Sequence, residues 1–246
     1  MPVYFWLFWL AGLAVATLAG SYVVKYHREK GLVILGAMLA IYVVSANILV
    51  PRLVLVNLFG WSLVLITGTV IWPFTAQLSD MINEIYGKKS AFYVAGVAYL
   101  SNVMFVMFIL MAMQMTPLDP GEGEAWFRSY FGVAGRVLFA SMCSYTLANF
   151  ADITVFARIK VWAAQREQTT GRLLAYSSLR STCSDTINMV VDNVVFCTIA
   201  LYGTIPNSVL WNLIGTTLAA KLILAQMDLP FYWAFRLLTR DVKREF

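Results

Sequence analysis

The sequence predicts an all-α membrane protein: a polytopic bundle of seven transmembrane helices, with the N-terminus outside and the C-terminus in the cytoplasm. Three observations lead there. Of 246 residues, 60% are hydrophobic and only 13% charged, with a mean hydropathy of +0.72. A soluble domain of this length needs far more charge to cover its surface. Seven apolar segments are long enough to supply the roughly 20 helical residues that a bilayer core demands. The basic residues gather in alternate connecting loops, as cytoplasmic loops do.

The elements follow in order. The segment 3–24 has no basic residue ahead of it and no small-residue cleavage site, so it reads as a retained helix and not as a signal peptide. KYHREK at 25–30 supplies Lys25, Arg28 and Lys30. The second segment, 31–50, is followed by a link at 50–59 whose only charge is Arg52. The third, 60–82, ends in a turn over 83–89 with Lys88 and Lys89, and the fourth, 90–114, is Met-rich and poor in polar groups. An acidic loop at 115–134 sets Asp119, Glu122 and Glu124 against Arg128. The fifth segment, 135–157, leads to a basic stretch at 158–183 with Arg158, Lys160, Arg166, Arg172 and Arg180. The sixth and seventh, 184–202 and 207–227, flank an uncharged link, and the tail carries Arg236, Arg240, Lys243 and Arg244. Of 18 Lys and Arg residues, 14 thus fall in alternate loops, which seven spans satisfy and six would not. Aromatic residues such as Trp61, Trp126, Tyr130, Trp162 and Trp211 flank the spans as an interfacial belt does.

This charge pattern accounts for the net charge of +5 as a topology signal and not as a nucleic-acid surface. Cys143, Cys183 and Cys197 lack metal-ligand spacing and read as small packing residues. The lone His27 cannot form a metal site by itself, and neither a metal nor a cofactor is expected.

The informative residues are the ionisable groups inside apolar segments, where each charge is costly and faces a partner or a wet cavity. Gln77, Asp80 and Glu84 share one helix face at i, i+3 and i+7. Tyr145, Asn149 and Asp152 share another, and Asp185, Asn188 and Asp192 a third, with Ser181 and Ser184 nearby. Lys221 is the one cation deep in a span, and Asn47 with Ser45 stands near the outer end of the second. At 1.5 Å per residue, Asp80 and Asp152 lie about 25–30 Å from the outer ends and Lys221 about 20 Å, with Asp192 near the middle. The bland alternative caps helices with Asp80, Glu84 and Asp185 or pairs them with Lys88, Lys89 and Arg180. Lys221 serves equally well in a structural salt bridge, because burial demands a partner in either case. Carboxylates accept hydrogen bonds while amides both donate and accept, so the recurring amide–carboxylate pairs suit a planar heterocycle with several N–H groups.

The stretch WPFTAQLSDMINEIYGKKSAF at 72–92 resembles the queuosine precursor transporter family, also called the vitamin uptake transporter or YhhQ-like family. Its Asp-x-x-Asn-Glu-x-Tyr-Gly core followed by basic residues is the most specific match. SANIL at 45–49, RVLFASMCSYTLANFADITVFARIK at 136–160, LRSTCSDTINMVVDNVVFCTIALYG at 179–203 and Lys221 with Pro230 and Tyr232 agree in order. The resemblance covers about residues 31–240. It implies an extra N-terminal helix and basic cytoplasmic loop (1–30), peripheral to the site, then a six-helix transporter core (31–240) and a short cytoplasmic tail (241–246). It also implies polar site positions at Asn47, Asp80, Asn83, Glu84, Asn149, Asp152, Arg180, Ser184, Asp192 and Lys221; reading the residues themselves adds Gln77 and Asn188. Typical members have Gln where Asn149 stands, and Asp185 matches no family position.

The function so implied is multi-pass transport in the plasma (cell inner) membrane. It imports 7-cyano- or 7-aminomethyl-7-deazaguanine, or queuine, for tRNA modification. A guanine-like edge offers two parallel donors that a carboxylate of Asp80, Asp152 or Asp192 accepts together. Buried carboxylates also favour proton symport. The partners expected are this nucleobase-like molecule and the lipid bilayer, with no nucleic acid. A homodimer and a separate energising ATPase both stay open, since the chain has no nucleotide-binding loop. Two alternatives remain beside this reading. One is the substrate-binding subunit of an energy-coupling-factor vitamin importer. The other is a retinal-binding seven-helix protein using Lys221, against which Thr217 stands where an Asp would precede that lysine. An intramembrane aspartyl enzyme lacks its Gly-x-Gly-Asp element, and no enzymatic activity is expected.

Overall fold

The apolar runs form helices that pack side by side. In a computed structural model describing residues 3–49, 52–58, 61–119, 121–132 and 134–245, seven helices follow one another. They are α1 (Val3–Tyr26), α2 (Arg28–Leu49), α3 (Trp72–Met113), α4 (Glu122–Gly132), α5 (Ala134–Ala163), α6 (Thr170–Leu201) and α7 (Asn207–Leu238). Five of them, α1, α2, α3, α6 and α7, are long and apolar enough to cross a membrane. Their outward residues, such as Phe8, Val33 and Tyr93, are exposed apolar groups that water would not favour and lipid does.

Two expectations need correction. The segment 60–82 is not one helix. Its first part is strand β2 (Trp61–Ile66), paired antiparallel with β1 (Leu53–Leu58), and a 3₁₀ turn at Thr67–Val70 leads to α3. Both strands are mostly Leu, Val and Ile, which hydropathy alone cannot distinguish from a helix. The helix starts only where Pro73 sits in its first turn, a position where the missing N–H costs nothing. Val56 and Leu65 of the hairpin pack on Ala220 of α7, with Trp6 of α1 beside them.

The second correction concerns the turn expected over 83–89. Helix continues to Tyr86, and the reversal falls on Gly87 alone, at φ 78° and ψ 175°. Only glycine occupies that region without strain. The contacts show that α3 folds into two antiparallel arms there. α1 runs along the first arm, with Trp9 Nε1 donating to the Val70 carbonyl (2.8 Å), Thr17 meeting Gln77 and Gly20 packing on Met81. α2 runs against that arm, its Tyr42 ring 5.6 Å from the Phe74 ring, and along the second, with Gly36 on Val94 and Asn47 bonded to Asn102.

The helices also outrun their apolar segments toward the Gly87 end, termed the lower end below. α6 starts at Thr170, where the Thr169 side chain accepts from the Arg172 N–H, and α7 continues to Leu238. The loop expected at 115–134 contains α4. The tail folds back under the bundle, with the Glu245 N–H donating to the Ile85 carbonyl (2.9 Å).

Candidate substrate cavity and the polar column beneath it

A cavity of about 140 Å³ lies among α2, the 3₁₀ turn, the first arm of α3, α5, α6 and α7. An apolar cavity of about 150 Å³ admits benzene, so the space suits a small planar ring system. No α1 residue lines it among those described.

Six of the sequence-selected residues line this cavity: Asn47, Asn149, Asp152, Asn188, Asp192 and Lys221. Their helices present them on inward faces because spacings of three, four and seven residues stack along one side of a helix. Asn47 knits the upper wall. Its amide nitrogen donates to Asn102 Oδ1 (3.1 Å), and its oxygen accepts from the Ser141 hydroxyl (2.7 Å). The Asn149 amide donates to the Tyr145 carbonyl within α5 (2.8 Å). Lys221 Nζ donates to Asp192 Oδ2 at 2.6 Å, a charge-assisted bond in which the lysine is the more buried partner. Asp152 is buried and has no basic partner among the described residues. Trp72, Tyr145 and Phe196 supply aromatic surface to the same space.

The other six sequence-selected residues lie outside the lining. Gln77 Nε2 donates to the Thr17 hydroxyl (2.7 Å), tying α3 to α1. The Asn83 amide donates to the Ile153 carbonyl (3.1 Å), locking α3 to α5. The Ser184 hydroxyl donates to the Ser181 carbonyl of its own helix (3.2 Å).

Asp80 sits just below the cavity with Asp152 and Asp185, one carboxylate oxygen from each lying within 4.8 Å of the others.

Glu84 and Arg180 belong to an ion cluster at the lower end. Fully buried Glu84 meets Arg180 Nε at 2.9 Å, Arg236 Nη1 at 3.1 Å and Arg244 Nη1 at 3.0 Å. Glu167 pairs with the same three guanidinium groups, at 2.8 Å for Arg244 and 3.3 Å for Arg236. The Tyr232 hydroxyl donates to Glu84 Oε2 and accepts from Arg180 Nε, each at 3.3 Å. Lys160 donates to the Asn83 carbonyl (2.7 Å) and to the Glu245 carbonyl. The cluster closes the bundle below the cavity with buried side chains from α3, α6, α7 and the α5–α6 loop, joined by the partly exposed Arg244 of the tail.

Sequence reasoning missed Asp228, Glu167, Arg236 and Arg244 as parts of the interior. Asp228 had a signal, since it stands seven residues after Lys221 and so on the same face of α7. Arg236 falls in the last turn of α7, beyond the apolar segment, and Glu167 and Arg244 in loop and tail, where local sequence reports only a charge.

A cavity that carries carboxylate, amide and lysine side chains among apolar helices, closed below by an ion cluster, fits a multi-pass membrane transporter. The chain belongs to the family described as "putative vitamin uptake transporter", whose sequence pattern matches residues 67–235. That match takes in α3, α4, α5, α6 and almost all of α7, and leaves α1 and α2 outside. No curated protein and no solved structure matched the chain.

Proposed function

We propose that the protein imports a 7-deazaguanine precursor of modified tRNA bases across the plasma membrane, and that Asp152 receives the guanine-like edge. One observation carries this reading. Of the three aspartates that suit the task, Asp152 alone lines the cavity without a basic partner among the described residues, whereas Asp192 is held by Lys221 and Asp80 lies below. Ionised, its carboxylate accepts both parallel donors of that edge; Asn149 and Asn188 serve the remaining acceptors, and the aromatic side chains stack on the ring. In this reading α1, α2, both arms of α3, α5, α6 and α7 make seven crossings, with the upper end outside and the ion cluster on the cytoplasmic side.

The family's description names vitamin uptake, which favours a second reading in which the ligand is a vitamin and the chain is the binding subunit of an importer energised by a separate ATPase. A thermal-shift screen of the purified protein separates the two. A ligand that binds only the folded state raises its stability in proportion to RT ln(1 + [L]/Kd). The expected result is stabilisation by 7-cyano- or 7-aminomethyl-7-deazaguanine, lost in Asp152→Asn, and none by unrelated vitamins. Stabilisation by a vitamin alone would replace the first reading with the second.

A further inference from the structure

We propose that Asp80, Asp152, Asp185 and Asp228 form a proton-binding site beneath the cavity, in which the four carboxyl groups share protons and Asp152 links their occupancy to the ligand. The four come from α3, α5, α6 and α7, and none is more than 7% exposed. One oxygen from each of Asp80, Asp152 and Asp185 lies within 4.8 Å of the others. Asp228 stands outside that trio, yet it lies within electrostatic range of Asp80 and of Asp185. Its Oδ1 is buried with no hydrogen-bond partner, as are Oδ1 of Asp152 and Oδ1 of Asp185. The Ser181 hydroxyl donates to Asp185 Oδ2 at 3.2 Å.

No described cation neutralises the group. On α3 the next charged residue, Glu84, is bound by three arginines. On α5, Lys160 lies below, bonded to the Asn83 and Glu245 carbonyls, and Tyr145 lies above. On α6, Arg180 is taken by Glu84 and Glu167, and Asp192 by Lys221. On α7, Lys221 is above, while Tyr232 and Arg236 are below in the ion cluster. The charged residues of α1 and α2, Lys25 to Lys30, lie at their lower junction. Like charges this close in a dry interior do not all ionise, and a shared proton gives an orphaned oxygen its donor. One bound monovalent cation would still leave three negative charges, so protons are needed in any case.

Asp152 belongs both to this group and to the cavity lining. If the ligand reading above holds, a ligand edge with two donors draws on an ionised Asp152. Its proton then passes to a neighbouring carboxylate of the group, so ligand and proton occupancy depend on one another.

The test uses no ligand, so it stands whether or not the deazaguanine reading does. Infrared spectra of the purified protein are recorded at neutral pH in H₂O and D₂O, in a detergent without ester groups. Exposed carboxyl groups are ionised there and do not contribute. The expected result is a protonated-carboxyl absorption that moves in D₂O, weakens in Asp185→Asn and in Asp228→Asn, and persists in the loop variant Asp119→Asn. No such absorption in the wild-type protein would overturn the proposal, whether or not the variants fold. So would an absorption that both variants leave intact, or carboxylate bands that answer instead to added sodium or calcium chloride.

Discussion

Replacing Glu84 by Gln tests whether the lower ion cluster is a structural seal. The substitution keeps the shape and removes one of two carboxylates facing Arg180, Arg236 and Arg244, at 2.9, 3.1 and 3.0 Å. Both Glu84 and Arg180 are wholly buried, so no water replaces the lost charge. Breaking a buried ion pair on one side costs about 3–5 kcal/mol, because the partner's charge stays desolvated. At about 2–4 °C per kcal/mol for a chain of this size, the melting midpoint should fall by roughly 6–20 °C. Differential scanning fluorimetry in detergent reads this directly. Because Glu84 lies outside the cavity lining, the folded fraction of the variant should keep its ligand affinity. An unchanged midpoint combined with lost binding would refute the structural role and return Glu84 to the ligand site.

The Lys221–Asp192 pair should respond asymmetrically. Asp192→Asn strands a lysine side chain only 8% exposed, while Lys221→Met leaves an aspartate that is 24% exposed and nearer water, so the first variant should melt lower; equal midpoints would contradict that burial. Gly87→Ala forces a side chain into a glycine-only conformation, with its Cβ 3.3 Å from the Glu245 backbone, and should cost about 1–3 kcal/mol on the same melting assay. Stopping the chain after Arg240 removes Arg244 and the Glu245 bond to Ile85, and hydrogen exchange at 84–87 should rise while the upper ends of α2 and α5 keep their protection.

Much of the interior was legible because charges inside apolar runs stand out. Helical spacing singled out Asn149, Asp152, Asn188 and Asp192, its depth in an apolar run singled out Lys221, and all five line the cavity. The hairpin was not legible: the Leu and Val runs at 53–58 and 61–66 satisfy hydropathy as helix or strand, and tertiary packing on Ala220 accompanies the strand form. A reversal near 83–89 was legible, but not that it falls on Gly87 alone, whose φ composition does not report. The ion cluster was hidden for another reason. Arg236 and Arg244 read as ordinary topology charges, and Glu167 as a loop residue. Arg244 lies 160 residues from its partner Glu84, and Glu167 lies 69 and 77 residues from Arg236 and Arg244, so only the fold brings them together.

Uptake of labelled 7-cyano-7-deazaguanine into proteoliposomes tests the transport claim most directly. The wild-type chain should take up more than protein-free vesicles do, and a folded Asp152→Asn variant should lose that uptake. Wild-type vesicles that match protein-free ones, or an Asp152→Asn variant that transports normally, would contradict it.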